Sequence, residues 1–176
     1  MIRQEQLAVI IDAQHSIFLK KQDELIRETL DAVPILENYA TIITGIRRCG
    51  KSTLLLQLLR TRYEAALYIN FEDIRLVGFD ASDFTRLHNE IVRRKLDVLF
   101  FDEIQLASHW EVFVHQLLRE GYTVFVTGSN ELTFVILRGN GFVSFAIRLS
   151  SETTSLNFPS AIVKLLFNVT CGGIKA

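Results

Sequence analysis

The 176-residue chain is short of several things, and each shortage excludes a class of protein. It has two cysteines, Cys49 and Cys171, too few for a disulfide framework. No stretch approaches the ~20 consecutive apolar residues of a membrane-crossing helix, so no membrane partner is expected. The opening residues Met1-Ile2-Arg3-Gln4-Glu5-Gln6 lack the charged-then-apolar pattern of a secretory signal. A cytoplasmic location is therefore expected, and the triplet Asn168-Val169-Thr170 carries no weight as a glycosylation site. The formal net charge is only −1, so the whole-chain balance gives no support to a nucleic-acid partner. Such a partner would need a clustered basic surface. Repeats and low-complexity tracts are absent too. What the chain has is apolar bulk: 49% hydrophobic residues and thirteen phenylalanines, at the upper end for a soluble protein. Its length suits one domain with a real core, or one domain with appendages.

Gly45-Ile46-Arg47-Arg48-Cys49-Gly50-Lys51-Ser52 fits the phosphate-binding pattern G-x-x-x-x-G-K-[ST] at every fixed position. Ala40–Thr44 before it reads as a short buried strand, and Thr53–Arg60 after it reads as a helix. A polyphosphate concentrates negative charge in a small volume, and this arrangement answers it with donors. Gly45 and Gly50 allow backbone angles and close approach that other residues resist. Successive N–H groups along the loop make an anion-binding nest. The first helical turn, including Thr53, adds unpaired N–H groups and the positive end of the helix dipole. Lys51 would reach the β- and γ-phosphates, and the Ser52 hydroxyl would hold Mg²⁺. Cys49 sits where the dipole could lower a thiol pKa, but it reads as a small filler in the loop.

The rest of the chain alternates. Residues 1–39 look helical, with Leu25, Ile26, Thr29, Leu30 and Val33 at helical spacing and Pro34 ending the run. This segment is expected to pack beside the first strand. Further strands are expected at Ala66–Phe71, Leu96–Phe101 and Tyr122–Thr127, with a helix at Asp83–Arg94 whose Phe84, Leu87 and Ile91 point inward. Trp110, Phe113, Val114, Leu117 and Leu118 form an apolar helical stripe. Strands alternating with helices predict an α/β fold: a central parallel sheet flanked by helices, with an N-terminal helical extension. Ligands on such sheets bind at the carboxyl ends of strands, where the phosphate loop lies. After Asn130 the pattern weakens. Glu131–Gly141 has no clear period, Phe142–Arg148 could be a last strand, and Phe158–Val169 is apolar without an amphipathic face. The expected division is residues 1–39, a core at 40–130 and a divergent segment at 131–176.

Leu99-Phe100-Phe101-Asp102-Glu103 is an apolar strand ending in two acids, the Walker B arrangement. Asp102 would hold Mg²⁺, mostly through a bound water, and Glu103 would orient and polarise the attacking water. Alternation sends neighbouring side chains of a strand to opposite faces, but the backbone can turn where the strand ends and bring both acids to the site. A GTPase would usually show Asp-x-x-Gly here and Asn-Lys-x-Asp later, and the chain has neither. ATP hydrolysis is the preferred chemistry. Thr127-Gly128-Ser129-Asn130 ends the next strand and offers a polar residue to the γ-phosphate or the attacking water.

With these pieces in order, the chain resembles ATPases of the AAA+ superfamily found in many bacteria and archaea. The matching pieces are Ile43–Leu55, Tyr68-Ile69-Asn70-Phe71-Glu72-Asp73 with Arg75-Leu76, Phe101–Gln105 with Trp110-Glu111, and Thr127–Asn130. The resemblance covers roughly residues 1–130. It implies a P-loop NTPase core with the phosphate-loop strand central in its sheet, and ATP and Mg²⁺ as ligands. Lys51, Ser52, Asp102 and Glu103 carry over directly, and Asn130 or Ser129 as the sensor. Such sites usually form between subunits, with a neighbour's arginine at the γ-phosphate, so the partner expected is an unidentified protein or another copy. Arg138 and Arg148 suit that role poorly and Arg75 is unassigned. Where the family shows Leu-x-Gly-Arg-aromatic, this chain reads Leu137-Arg138-Gly139-Asn140-Gly141-Phe142. The family's helical lid and second domain find no counterpart. The expectation is a truncated member, ending in out-of-frame sequence, in which nucleotide binding is more robust than catalysis.

Overall fold

The strand ahead of the phosphate loop, β1 (Thr41–Gly45), lies inside the sheet with neighbours on both sides. The computed structural model describes residues 2–20, 40–45, 50–63, 65–128, 145–151 and 161–166. In chain order the elements are α1 (Gln4–Lys20), β1, α2 (Lys51–Arg62), β2 (Leu67–Asn70), α3 (Ala81–Arg94), β3 (Val98–Asp102), α4 (Trp110–Arg119), β4 (Thr123–Gly128), β5 (Phe145–Ser151) and β6 (Ala161–Leu166). Short 3-10 turns follow β2 at Ile74–Leu76 and β3 at Ile104–Leu106. Among the described residues the sheet order is β2-β3-β4-β1-β5-β6. Strands β1 to β5 run parallel and β6 turns back antiparallel on β5. This is the α/β architecture of a P-loop core, with the phosphate-loop strand in the expected central position.

Period-two alternation sorts the side chains into two layers. On one face Ile42, Leu67, Ile69, Leu99, Phe101, Val124 and Val126 pack against α3, α4 and the first half of α1. On the other, Ile43, Tyr68, Phe100 and Phe125 pack against Leu54, Leu55, Leu58 and Leu59 of α2. A strand buried on both faces reads as continuous hydrophobic sequence, and Leu99-Phe100-Phe101 is an example. The phenylalanines concentrate here. Phe84 stacks on Phe113 at 4.4 Å between ring centres, and Phe79 meets Phe84 edge-on at 4.8 Å.

Helix α3 starts two residues earlier than the apolar period indicates because Asp80 caps it. The Asp80 carboxylate accepts from the Ser82 and Asp83 N–H groups, and Asp83 reciprocates by accepting from the Asp80 N–H. Strand β3 covers Val98–Asp102, so Asp102 is its last residue, at the strand end where the acid pair was expected.

Helix α1 corrects one expectation. It packs along β2 and α3, not beside β1. Leu7, Ile10 and Ile11 belong to one core layer and Phe18 to the other, so the helix crosses the sheet edge at β2. Midway, Gln14 accepts from the Asn70 N–H at 2.7 Å and donates to the Asn70 carbonyl at 3.1 Å. Gln4 donates to Glu90, and Arg94 bridges Glu90 and Asp12, tying α1 to α3. Burial pushes the Glu90 carboxyl up, yet hydrogen bonds from Arg93, Gln4 and Arg94 outweigh it and leave it below the ordinary glutamate range. The helical repeat Leu25–Val33 lies outside the described residues, as does Glu131–Gly141.

Leu87 is fully buried where α3 meets the sheet. Leu87→Ala should lower unfolding free energy by about 2–5 kcal/mol, seen as a lower urea midpoint at unchanged slope. Val92→Ala on the exposed side of α3 should stay within about 0.5 kcal/mol. A second expectation concerns acid. Asp73, after β2, is held well below the usual aspartate range, first by Arg75 and then by Gln14. A depressed carboxylate contributes stability that is complete above its ordinary value near 3.8 and is lost as pH falls through the native value. Urea midpoints followed from about pH 5 to pH 2 should fall less steeply in Asp73→Asn than in the parent.

Candidate functional site

The site is built where three strands end. β1 delivers Gly45, β3 delivers Asp102 and β4 delivers Thr127, all at carboxyl ends of parallel strands. Ile46, Arg47, Arg48 and Cys49 lie outside the described residues. Gly50 caps α2 in the left-handed region, at φ 90°. A Cβ at Gly50 would meet nothing within 4 Å, so the backbone angle, not crowding, is what asks for glycine. Among the described residues no side chain caps this helix. Lys51 is its first residue and is 4% exposed, while Ser52 and Thr53 follow half-buried in the first turn.

Asp102 is fully buried on the α2 face of the sheet. Two hydroxyls from the flanking strands hold it. The Tyr68 hydroxyl of β2 donates to Oδ2 at 2.8 Å, and the Thr127 hydroxyl of β4 donates to Oδ1. Thr127 Oγ1 also accepts from the Glu103 N–H at 3.0 Å, so one side chain ties both acids to β4. Burial first, then the Asp102 charge, raise the Tyr68 hydroxyl far above the ordinary tyrosine value, which keeps it a donor.

Glu103 escapes the strand's alternation through its own backbone. It sits in the left-handed region at φ 53°, a conformation that only a few per cent of non-glycine residues adopt. That turn sends its carboxylate across to Lys51, with Oε1 3.3 Å from Nζ. The other oxygen accepts from Gln105 Nε2 at 2.7 Å. Lys51, Asp102, Glu103 and Thr127 are therefore one connected group, with Ser52 one residue from Lys51.

Other expected residues fall elsewhere. Ser129, Asn130 and Arg138 lie outside the described residues. Arg75 forms a forked pair with Asp73 beyond β2. Arg148 occupies the β5 position opposite Thr44. Sequence reasoning missed Tyr68, which reads as one more core aromatic. Its only signal is a hydroxyl two residues before Asn70, on a strand that pairs with the acidic one.

The donor set suits a magnesium–phosphate group. Mg²⁺ takes hard oxygen ligands and is bound through one or two carboxylates plus phosphates, and Asp102 and Ser52 are oxygen donors of that kind, a carboxylate and a hydroxyl. Among the described residues no cluster of three or more His, Cys, Asp or Glu side chains forms, and this mode of binding requires none.

The family model described as AAA domain matches residues 37–136, which span β1 to β4 and every motif above. The chain belongs to the AAA domain family. Membership suggests a nucleotide-binding, ATPase-like function. This AAA domain is similar to an uncharacterized protein of Methanocaldococcus jannaschii, 30% identical over 172 residues, covering 92% of this chain and 36% of that protein. It is also similar to an uncharacterized protein of Haemophilus influenzae, 35% identical over 103 residues, covering 53% of this chain and 26% of that protein. The matched part of the chain thus spans about a third of the length of the first of these curated relatives and about a quarter of the second. The archaeal alignment covers more of the chain than residues 1–130 alone supply, so it runs into the segment whose sequence departs from the family pattern. Among the described residues no helix is long and apolar enough to cross a membrane.

Thr127→Val keeps the shape of a fully buried side chain and removes its hydroxyl. The Asp102 oxygen and the Glu103 N–H then lose their partner. Urea unfolding should show a loss of about 1–3 kcal/mol, and Thr127→Ser should restore most of it.

Proposed function

We propose that this AAA domain binds ATP together with Mg²⁺ and hydrolyses the β–γ bond, using turnover to drive a conformational change in a partner. The observation that carries this reading is the meeting of Lys51 and Glu103 at 3.3 Å beside the buried Asp102. Cation, acid pair and helix N-terminus come from β1–α2 and β3, separate in sequence and adjacent at the carboxyl end of the sheet. In this reading the loop Gly45-Ile46-Arg47-Arg48-Cys49-Gly50 and the first turn of α2 wrap the phosphates with N–H groups. Lys51 leaves Glu103 for the β- and γ-phosphate oxygens. Ser52 and Asp102 would hold the metal, which would supply charge neutralisation at the phosphoryl group. Glu103, released by Lys51, orients and polarises the attacking water, and Asn130 or Ser129 serves as the sensor. The working units are the core 40–130, the extension 1–39 and the segment 131–176. The partner is an unidentified protein or further copies of the chain, which would also bring the arginine that neutralises transition-state charge.

A second reading has its own observation. The Glu103 carboxylate is engaged at both oxygens, by Lys51 and by Gln105. If that engagement persists with nucleotide bound, the chain is a binding module without turnover. Colorimetric phosphate release and fluorescent-nucleotide binding separate the two. For the ATPase, Lys51→Ala should abolish binding, and Glu103→Gln should bind ATP normally while turnover falls about 10²- to 10⁴-fold. Binding without phosphate release in the parent would establish the module instead.

A further inference from the structure

Asp102 is the proposed metal carboxylate, and what orients it is specific. Each of its oxygens receives one hydroxyl, from Tyr68 on one side and Thr127 on the other. A carboxylate oxygen has two lone pairs, so each keeps one after these bonds. The donors come from the two strands that flank β3, and together they fix the carboxylate plane. Thr127 belongs to the strand end already assigned to the site. Tyr68 does not: it is a central residue of an edge strand, 3% exposed and away from the phosphate loop in sequence. Its ring has its own clamp. Phe18 of α1, 1% exposed, stacks on it at 3.8 Å with the planes 10° apart. The hydroxyl therefore cannot swing away from Asp102 without disturbing a buried stack.

We propose that Tyr68 is a positioning residue: clamped by Phe18, it aims Asp102 at the metal and so sets the affinity of the site for divalent cation. The inference rests on the reading of Asp102 as a metal carboxylate. Groups that orient a ligand from behind typically change metal affinity about 10- to 100-fold when removed. Tyr68→Phe is the clean probe, because it keeps the ring and its stack and deletes one oxygen.

The test uses the full chain, the non-hydrolysable analogue β,γ-imido-ATP and Mn²⁺ as a paramagnetic stand-in for Mg²⁺. Analogue affinity is measured first in EDTA. Mn²⁺ affinity at saturating analogue is then read by electron paramagnetic resonance. Tyr68→Phe should leave the EDTA affinity unchanged and weaken Mn²⁺ at least ten-fold. Equal Mn²⁺ affinity in parent and variant overturns the inference while leaving the ATP-site reading intact. If the parent binds no analogue, the ATP-site reading fails and takes the inference with it. A purely structural role for Tyr68 would lower thermal stability and leave Mn²⁺ affinity alone, which also counts against positioning. Should Tyr68→Phe not fold, Phe18→Leu keeps the hydroxyl and loosens its clamp. Weaker Mn²⁺ binding there supports the inference, and parental binding overturns it.

Discussion

An ionised carboxylate shut away from water at the end of a strand needs donors. The cost of burying it unpaired runs to several kcal/mol or more. Asp102 has that position, and the surrounding structure supplies the donors. Strand β2 brings Tyr68 from one side and β4 brings Thr127 from the other, and the parallel register makes both reach. Any slip of one residue in either strand would turn the hydroxyl to the opposite face. The pairing of β2, β3 and β4 is therefore constrained twice, by apolar burial along the strands and by hydrogen bonding at their ends.

Much of this architecture was legible from local pattern. Alternation of apolar strands with amphipathic helices indicated a parallel sheet, and the loop Gly45–Ser52 with Asp102-Glu103 indicated which end carries the site. These signals are local, because glycine, lysine and acid positions are fixed by backbone geometry within a few residues. What sequence could not show was long-range. The seat of α1 on the β2 edge depends on Gln14 meeting Asn70, residues with no local relation. The cap at Asp80 moved a helix start that the apolar period alone misplaced. Tyr68 was illegible as a site residue because tyrosine in an apolar strand reads as core; only its distance to Asp102 separates it from Phe100 or Phe125. Strand Ala161–Leu166 was hidden for another reason. Its apolar run has no alternation to set it apart from a buried helix segment.

The geometry also explains how two adjacent acids can do different work. Asp102 keeps the extended conformation, stays buried and is held by hydroxyls. Glu103 leaves the strand through a left-handed turn and faces Lys51. One backbone angle divides an otherwise repetitive Asp-Glu pair into an inner and an outer carboxylate. Among the described residues only the outer one is paired with a cation, and its position depends on the Thr127 hydroxyl that receives its N–H.

Among the described residues β2 is a terminal strand of the sheet, and terminal strands invite another chain to pair with them. At Asn70, Gln14 answers both main-chain groups with one amide, offering a carbonyl to the N–H and an N–H to the carbonyl. A side chain here imitates the next strand of a sheet that stops. With α1 lying along the same border, the β2 side of the sheet is occupied at this point by the chain's own helix rather than left open to a strand from another copy.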